Sequence, residues 1–210
     1  MRSLRIQLLI VFVMTTPLPG RSDELAVTEQ LVRSEIIRLG GSWEAEADNK
    51  SPEMISFYGE NFKERHFEML EHVRSARAFA SVGVDISPVA VVSIARLRNL
   101  EAIQIQEGSF SGEGCGKWQK LKTLTSLKVF ECRLTCRGVR SIAKIQSLTT
   151  LSLNDVDLPE DALVTLGAMQ NLKVLHIFAS REIEKEAIEQ LKSRLPDCRI
   201  KVEPVKKPEQ

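Results

Sequence analysis

The chain has 210 residues, 29 of them basic and 28 acidic, for a formal net charge of +1. That length suffices for one domain with a sizeable core. The balance of charge excludes the strongly basic field of a dedicated nucleic-acid binder.

The N-terminus differs in kind from the rest. Arg2 and Arg5 precede Ile6–Met14, which is nearly all apolar, and Thr15-Thr16-Pro17-Leu18-Pro19-Gly20 leads to Arg21-Ser22. A charged start, a short apolar run and small residues near a cleavage point read as a secretory signal over 1–22, cut after Gly20 or Ser22. The competing reading is a buried N-terminal helix. A membrane span takes about 20 apolar residues, roughly twice this run. No cysteine stands directly after the run, at the expected cleavage point, which argues against a lipid anchor. Cutting after Ser22 removes Arg2, Arg5 and Arg21 and leaves a nearly neutral chain. The expectation is an exported protein, periplasmic, cell-surface or secreted, with no membrane span in its mature form.

Residues 23–51 read as a terminal cap. Thr28–Leu39 has helical spacing, with Thr28 as N-cap, Leu31, Val32, Ile36 and Leu39 as its apolar stripe, and Gly40-Gly41 as its stop. Ser42–Ala47 reads as a short strand with Trp43 turned inward, and Asp48–Pro52 as a turn.

Residues 52–202 repeat one pattern six times. Its clearest pair of copies is Leu124, Leu127, Val129, Cys132, Leu134, Val139, Ile142, Ile145 and, 24 residues on, Leu148, Leu151, Leu153, Val156, Leu158, Leu163, Leu166, Met169. The first half of each copy has the period-2 spacing of a strand, and the second half spaces apolar residues three apart as a helix does. Earlier copies place Ile55, Phe57, Phe62, Phe67, Leu70 and Val73, then Phe79, Val84, Ile86, Val91, Ile94 and Leu97, then Ile103, Ile105, Phe110, Cys115, Trp118 and Leu121. Ser81 is the weak member. The sixth copy opens with Leu172, Leu175 and Ile177, and its helix (Ile188, Leu191, Leu195) fits with one residue inserted near Glu182. A last strand, Cys198–Val202, closes the array, and 203–210 reads as a solvated tail. A unit this short cannot bury its own apolar face, so stability comes from stacking copies.

The L-x-x-L-x-L halves, each followed by a helix, resemble the leucine-rich-repeat family. Small residues recur before the helical core position at Ala90, Gly114, Gly138 and Ala162, which looks like the 24-residue bacterial subtype of secreted planctomycete-like proteins. The resemblance implies an α/β solenoid of right-handed strand–turn–helix units, with a concave parallel sheet and convex helices. The family's Asn, which ties its loop to the next repeat, is replaced here by Glu60, Val84, Gly108, Cys132, Val156 and Ser180. Apolar packing must therefore hold that turn.

On the strands, residues between the apolar positions face away from the core in two columns. One runs Ser56, Ala80, Gln104, Lys128, Ser152, His176, and the other Tyr58, Val82, Gln106, Phe130, Asn154, Phe178. Large rings on a rigid outer face are the groups that dominate binding at interfaces. Tyr58, Gln104, Gln106, Lys128, Phe130, Asn154, His176 and Phe178 are thus the candidate partner-binding residues. The implied function is a non-enzymatic exported module binding another protein, with a glycan a lesser option. The alternative is an architectural or self-associating envelope protein.

Catalysis finds little in the sequence. His66 and His72 fall on the first helix and His176 on a strand, so no Cys-His nucleophile pair forms in this register. The stretch Gly108–Gly116 is glycine-rich but lacks the Lys-Ser/Thr ending of a phosphate loop. Cys132-x-x-x-Cys136 has no second pair to complete a zinc site. No cofactor or metal is expected. Export would favour disulfides, and stacking would bring Cys115 near Cys136, placed in the loop before a helix. The alternative is that Cys115 and Cys132 are small buried hydrophobes.

Overall fold

Period-2 apolar spacing becomes strand at every repeat. Eight strands make one sheet in chain order: β1 (Ser42–Glu44), β2 (Met54–Tyr58), β3 (Ala78–Val82), β4 (Ala102–Gln106), β5 (Ser126–Phe130), β6 (Thr150–Val156), β7 (Val174–Ala179) and β8 (Arg199–Pro204). β1 runs antiparallel to β2, and every later pair is parallel. This computed structural model describes residues 21–44, 53–159, 161–179 and 183–204, with only the backbone of 21–27. Of the signal expected over 1–22 and the tail expected over 203–210, residues 1–20 and 205–210 lie outside the described residues; Glu203 and Pro204 belong to β8 instead of the tail, because they pair with Phe178 and Ala179.

Each parallel step needs a return on the other side of the sheet. The returns are a 3-10 helix over Glu64–His72, α2 (Pro88–Ile94), a 3-10 helix over Cys115–Lys120, α3 (Cys136–Ile142), α4 (Ala162–Leu166) and α5 (Lys185–Arg194); α1 (Arg21–Arg38) precedes them all. Two returns are 3-10 where α-helix was expected, including the glycine-flanked third copy. Ser87 caps α2 by accepting from the Ala90 amide (3.2 Å), with Pro88 in its first turn, and Thr135 caps α3 by accepting from Gly138 (3.0 Å). Strands in order, each paired with the next, with a helical return after each of β2 to β7, make an α/β solenoid of leucine-rich-repeat type.

The inward strand residues stack partner on partner. Ile55, Phe79, Ile103, Leu127, Leu151 and Leu175 pair in register and are all fully buried, within one continuous core. From β7 to β8 the partner of Leu175 is Ile200, one residue further than the earlier steps, as the expected insertion requires. The insertion point near Glu182 lies outside the described residues. The first repeat is the most aromatic: Phe57 stacks on Phe62 at 4.0 Å and meets Phe67, and Phe79 of the second repeat, edge-on at 5.2 Å each.

Where each return re-enters the sheet, one carbonyl serves two amides of the next repeat. Arg77 O accepts from Glu101 N (2.7 Å) and Ala102 N (3.2 Å), and Glu101 O from Thr125 N (2.9 Å) and Ser126 N (3.0 Å). Glu53, Thr125 and Thr149 repeat the arrangement. Beside it runs a side-chain ladder: Asn99 Nδ2 donates to Arg74 O (2.8 Å), Thr123 Oγ1 to Leu100 O (2.7 Å), Ser147 Oγ to Leu121 O (3.1 Å) and Asn171 Nδ2 to Gln146 O (2.8 Å). The polar tie that the family places after its strands is found here before them. After the strands, Val84, Cys132 and Val156 are buried, as apolar packing of that turn demands.

The cap is longer than expected. α1 begins at Arg21, not after a Thr28 cap, because Glu24, Leu25 and Ala26 are good helix formers that extend it. Its buried side is Val32, Ile36 and Leu39, joined by the inward Trp43, whereas Leu31 stays exposed and does not belong to the stripe. Glu29 Oε1 accepts from the amides of Arg74 (3.1 Å) and Ser75 (3.0 Å) and from Ser75 Oγ (2.6 Å), closing the ladder at its first rung. The strand expected over Ser42–Ala47 is described only to Glu44.

All four cysteines are free. Cys115 lies in the core, whereas Cys136 is exposed in the first turn of α3 instead of the loop before it, so the considered bridge does not form. Burial raises the Cys115 thiol well above its usual pKa and pushes Cys132 up to about 11. Cys132 Sγ donates to Phe130 O at 3.1 Å.

Leu151→Ala should cost about 2–5 kcal/mol in chemical denaturation, the price of an inward strand leucine. Gly138→Ala should cost about 3 kcal/mol, because its Cβ would stand 1.8 Å from Ser111 O; unchanged stability would contradict this close approach. A brief iodoacetamide pulse near pH 8 should label Cys136 first and spare Cys115 and Cys132 until the chain is unfolded, as mass spectrometry would read; early labelling of Cys115 would place it outside the core.

Candidate functional site: the outer face of the sheet

Strand pairing assembles both predicted columns. Ser56, Ala80, Gln104, Lys128, Ser152 and His176 are successive register partners, and so are Tyr58, Val82, Gln106, Phe130, Asn154 and Phe178. Neighbouring members lie one strand spacing apart, about 4.8 Å. The eight candidate residues therefore share one surface.

That surface is partly closed at its N-terminal end. Ser56 and Ala80 there are buried, as is Ser152 further along. Tyr58 is 41% exposed and Lys128 is exposed, while Gln104, Gln106, Phe130, Asn154, His176 and Phe178 are half-buried. Phe130 and Phe178 are thus neither core nor free-standing rings. Among the described residues neither stacks on another ring, because Asn154 stands between them in the column. The Lys201 ammonium of β8 lies 5.1 Å over the Phe178 ring and pairs with Glu203 at 3.1 Å. One end of the column thus already accommodates a cation. Tyr58 Oη lies 3.5 Å from Ser42 Oγ, tied loosely to β1.

The rim beyond the strands carries a feature that the sequence reading missed. The residue that leaves each strand is left-handed in five successive repeats: Gly59 (φ 69°), Gly83 (66°), Glu107 (58°), Glu131 (51°) and Asp155 (49°). This turn continues the sheet ladder, with Gly59 N donating to Val82 O (2.9 Å), Glu107 N to Phe130 O (3.0 Å) and Glu131 N to Asn154 O (2.9 Å). Glycine meets the requirement without strain, while an L side chain pays roughly 1–2 kcal/mol there. Three consecutive repeats nevertheless place an exposed carboxylate at it, beside Gln106, Phe130 and Asn154. The signal was legible as Gly-Gly-Glu-Glu-Asp at one repeat offset, where the expected pattern attends only to apolar positions.

The histidines stay apart. His66 Nδ1 accepts from the Lys63 amide (3.0 Å), His72 lies beside Glu71 (3.5 Å), and His176 is on the sheet face. Burial lowers the His66 pKa. Among the described residues no three His, Cys, Asp or Glu side chains are grouped to hold a metal, and no helix is long and apolar enough to cross a membrane.

No protein-family model matches the chain, and the search of curated proteins returns no match. Among solved structures the chain is similar to a leucine-rich-repeat protein of Leptospira interrogans, at 17% identity and a TM-score of 0.44 over 66% of this chain. The similarity spans 33% of that protein, so the chain corresponds to about a third of its length.

Replacing Glu131 by glycine should raise folding stability by about 0.5–1 kcal/mol, the relief of left-handed strain less the entropy cost of glycine. A loss of stability in urea denaturation would mean that the carboxylate makes a stabilising contact.

Proposed function

We propose that this chain is a non-enzymatic binding module that holds a protein partner on the outer face of its sheet. The observation that carries the reading is the pair Phe130 and Phe178, large rings mounted on rigid strands outside the core, each without a ring partner among the described residues. Rings so held lose little entropy on binding and gain much by being covered. Gln104, Gln106, Lys128, Asn154 and His176 beside them supply polar specificity, and Tyr58 extends the column. The rim carboxylates Glu107, Glu131 and Asp155 favour basic side chains at the partner's edge.

In this reading residues 1–22 are a secretory signal and 23–51 the cap. Residues 52–202 are six repeats of the 24-residue bacterial kind, followed by a short tail. The protein acts outside the cytoplasm, in the periplasm, at the cell surface or in the medium. Neither nucleic acid nor a catalytic step enters it.

The test is capture of partner from envelope extract by the mature chain, against a Phe130→Ala/Phe178→Ala double variant. Capture should fall by about tenfold or more, equivalent to at least ~1.4 kcal/mol, with the thermal midpoint shifted by no more than a few degrees. Equal capture by both forms would remove the ring column from the site. A large fall in midpoint would make the rings structural. Self-association in place of partner capture, abolished by the same variant, would favour an architectural envelope protein.

A further inference from the structure

A second surface lies at the opposite edge, where helical returns re-enter the sheet. Two repeat offsets there are basic in successive repeats: Arg74, Arg98 and Lys122 at one, Arg96, Lys120 and Lys144 at the other. All six are exposed. Four of the positions, Arg74, Arg96, Arg98 and Lys120, line one open cleft of about 690 Å3. Lys122 and Lys144 carry the two columns into the next repeats. Only one carboxylate, Glu71, lies in the cleft, bonded to Arg96 at 2.6 Å and 3.5 Å from His72. Glu101 nearby is engaged by Arg77.

Cations near helix C-termini ordinarily complement the carbonyl ends. Lys122 does so, donating from Nζ to Gln119 O at 3.1 Å. Arg74, Arg98, Lys120 and Lys144 form no ion pair among the described residues. Their charge is available to a partner, and the near-zero net charge of the whole chain makes this a local band, not a general basicity.

We propose that this edge binds a linear acidic polysaccharide. The cations repeat with the stacking of the solenoid, a step of about 4.8 Å at the sheet, which is close to the length of one sugar ring. A linear polymer with regularly spaced carboxylates or sulfates, laid along the stack, would meet successive cations. The cleft offers little apolar wall, only Ala95 and Leu121, so it lacks the pockets that anchor a peptide's side chains. It also presents no Phe, Tyr or Trp on which nucleobases would stack.

The full-length mature chain should bind polygalacturonate and dextran sulfate at low ionic strength in biolayer interferometry, and not neutral dextran. Affinity should fall steeply with added salt, as counterion release requires. The triple variant Arg74→Ser/Arg98→Ser/Lys120→Ser should bind at least about tenfold more weakly, with its circular-dichroism melt unchanged. A control with the same charge loss elsewhere, Arg137→Ser/Lys185→Ser/Lys192→Ser, should keep its affinity. The Phe130→Ala/Phe178→Ala variant should also bind the polysaccharide normally, which separates this surface from the sheet face. Absence of binding to either acidic polymer, or equal weakening by both triple variants, would overturn the proposal. So would tighter binding of polyglutamate or of a single-stranded oligonucleotide than of polygalacturonate.

Discussion

The shared carbonyl is the constraint from which this architecture follows. At each repeat boundary a single oxygen, such as Arg77 O or Glu101 O, accepts two amides of the following unit. The start of each strand is thereby fixed to the start of the one before. Side chains then have no freedom of register, and inward leucines meet inward leucines along the whole stack. The parallel ladder of Asn99, Thr123, Ser147 and Asn171 satisfies loop carbonyls that would otherwise be left unpaired. With this edge tied, the far turn needs no Asn of its own, and the buried Val84, Cys132 and Val156 can occupy it.

Fixed register at one edge also determines what the other edge can display. A strand exit must turn left-handed to keep pairing with its neighbour, and the same geometry recurs from Gly59 to Asp155. The protein thus has two rims of opposite character around one sheet. Glu107, Glu131 and Asp155 lie where three strands end, and six exposed arginines and lysines lie where helical returns come back. The net charge of +1 does not reveal this local clustering.

Much of this was legible from spacing. Apolar positions recur without a gap from Leu124 to Met169, and a solenoid is the arrangement in which such short units find a common core. The outer columns followed because strand alternation is rigid: once Leu127 and Val129 face inward, Lys128 and Phe130 face out. What escaped was set by backbone geometry or by context. Left-handed φ at Glu107 is invisible to an apolar pattern. The start of α1 depended on propensity upstream of Thr28, where no apolar stripe marks the helix. Leu31 belongs to the right period but lies on the wrong side of the stripe, since only packing against the first repeat decides which edge is covered. The Cys115–Cys136 proximity failed because neighbouring offsets on stacked helices can face opposite ways, one into the core and one to solvent.

The aromatic packing of the first repeat gives the stack a direction. Phe57 joins Phe62, Phe67 and Phe79 in a four-ring cluster, whereas the third repeat has only the stacked pair Phe110 and Trp118. Each such ring contact adds about 0.5–1.5 kcal/mol beyond its area, and two of them, Phe57–Phe79 and Phe67–Phe79, join the first repeat to the second. In a quasi-one-dimensional chain a stable local cluster can serve as a nucleus that grows by adding units to its edge. The ring cluster around Phe57 could serve as such a nucleus, at the end of the array that a ribosome delivers first. Each new strand would then meet a finished template, and the chain would seldom expose more than one unpaired edge while it is being made.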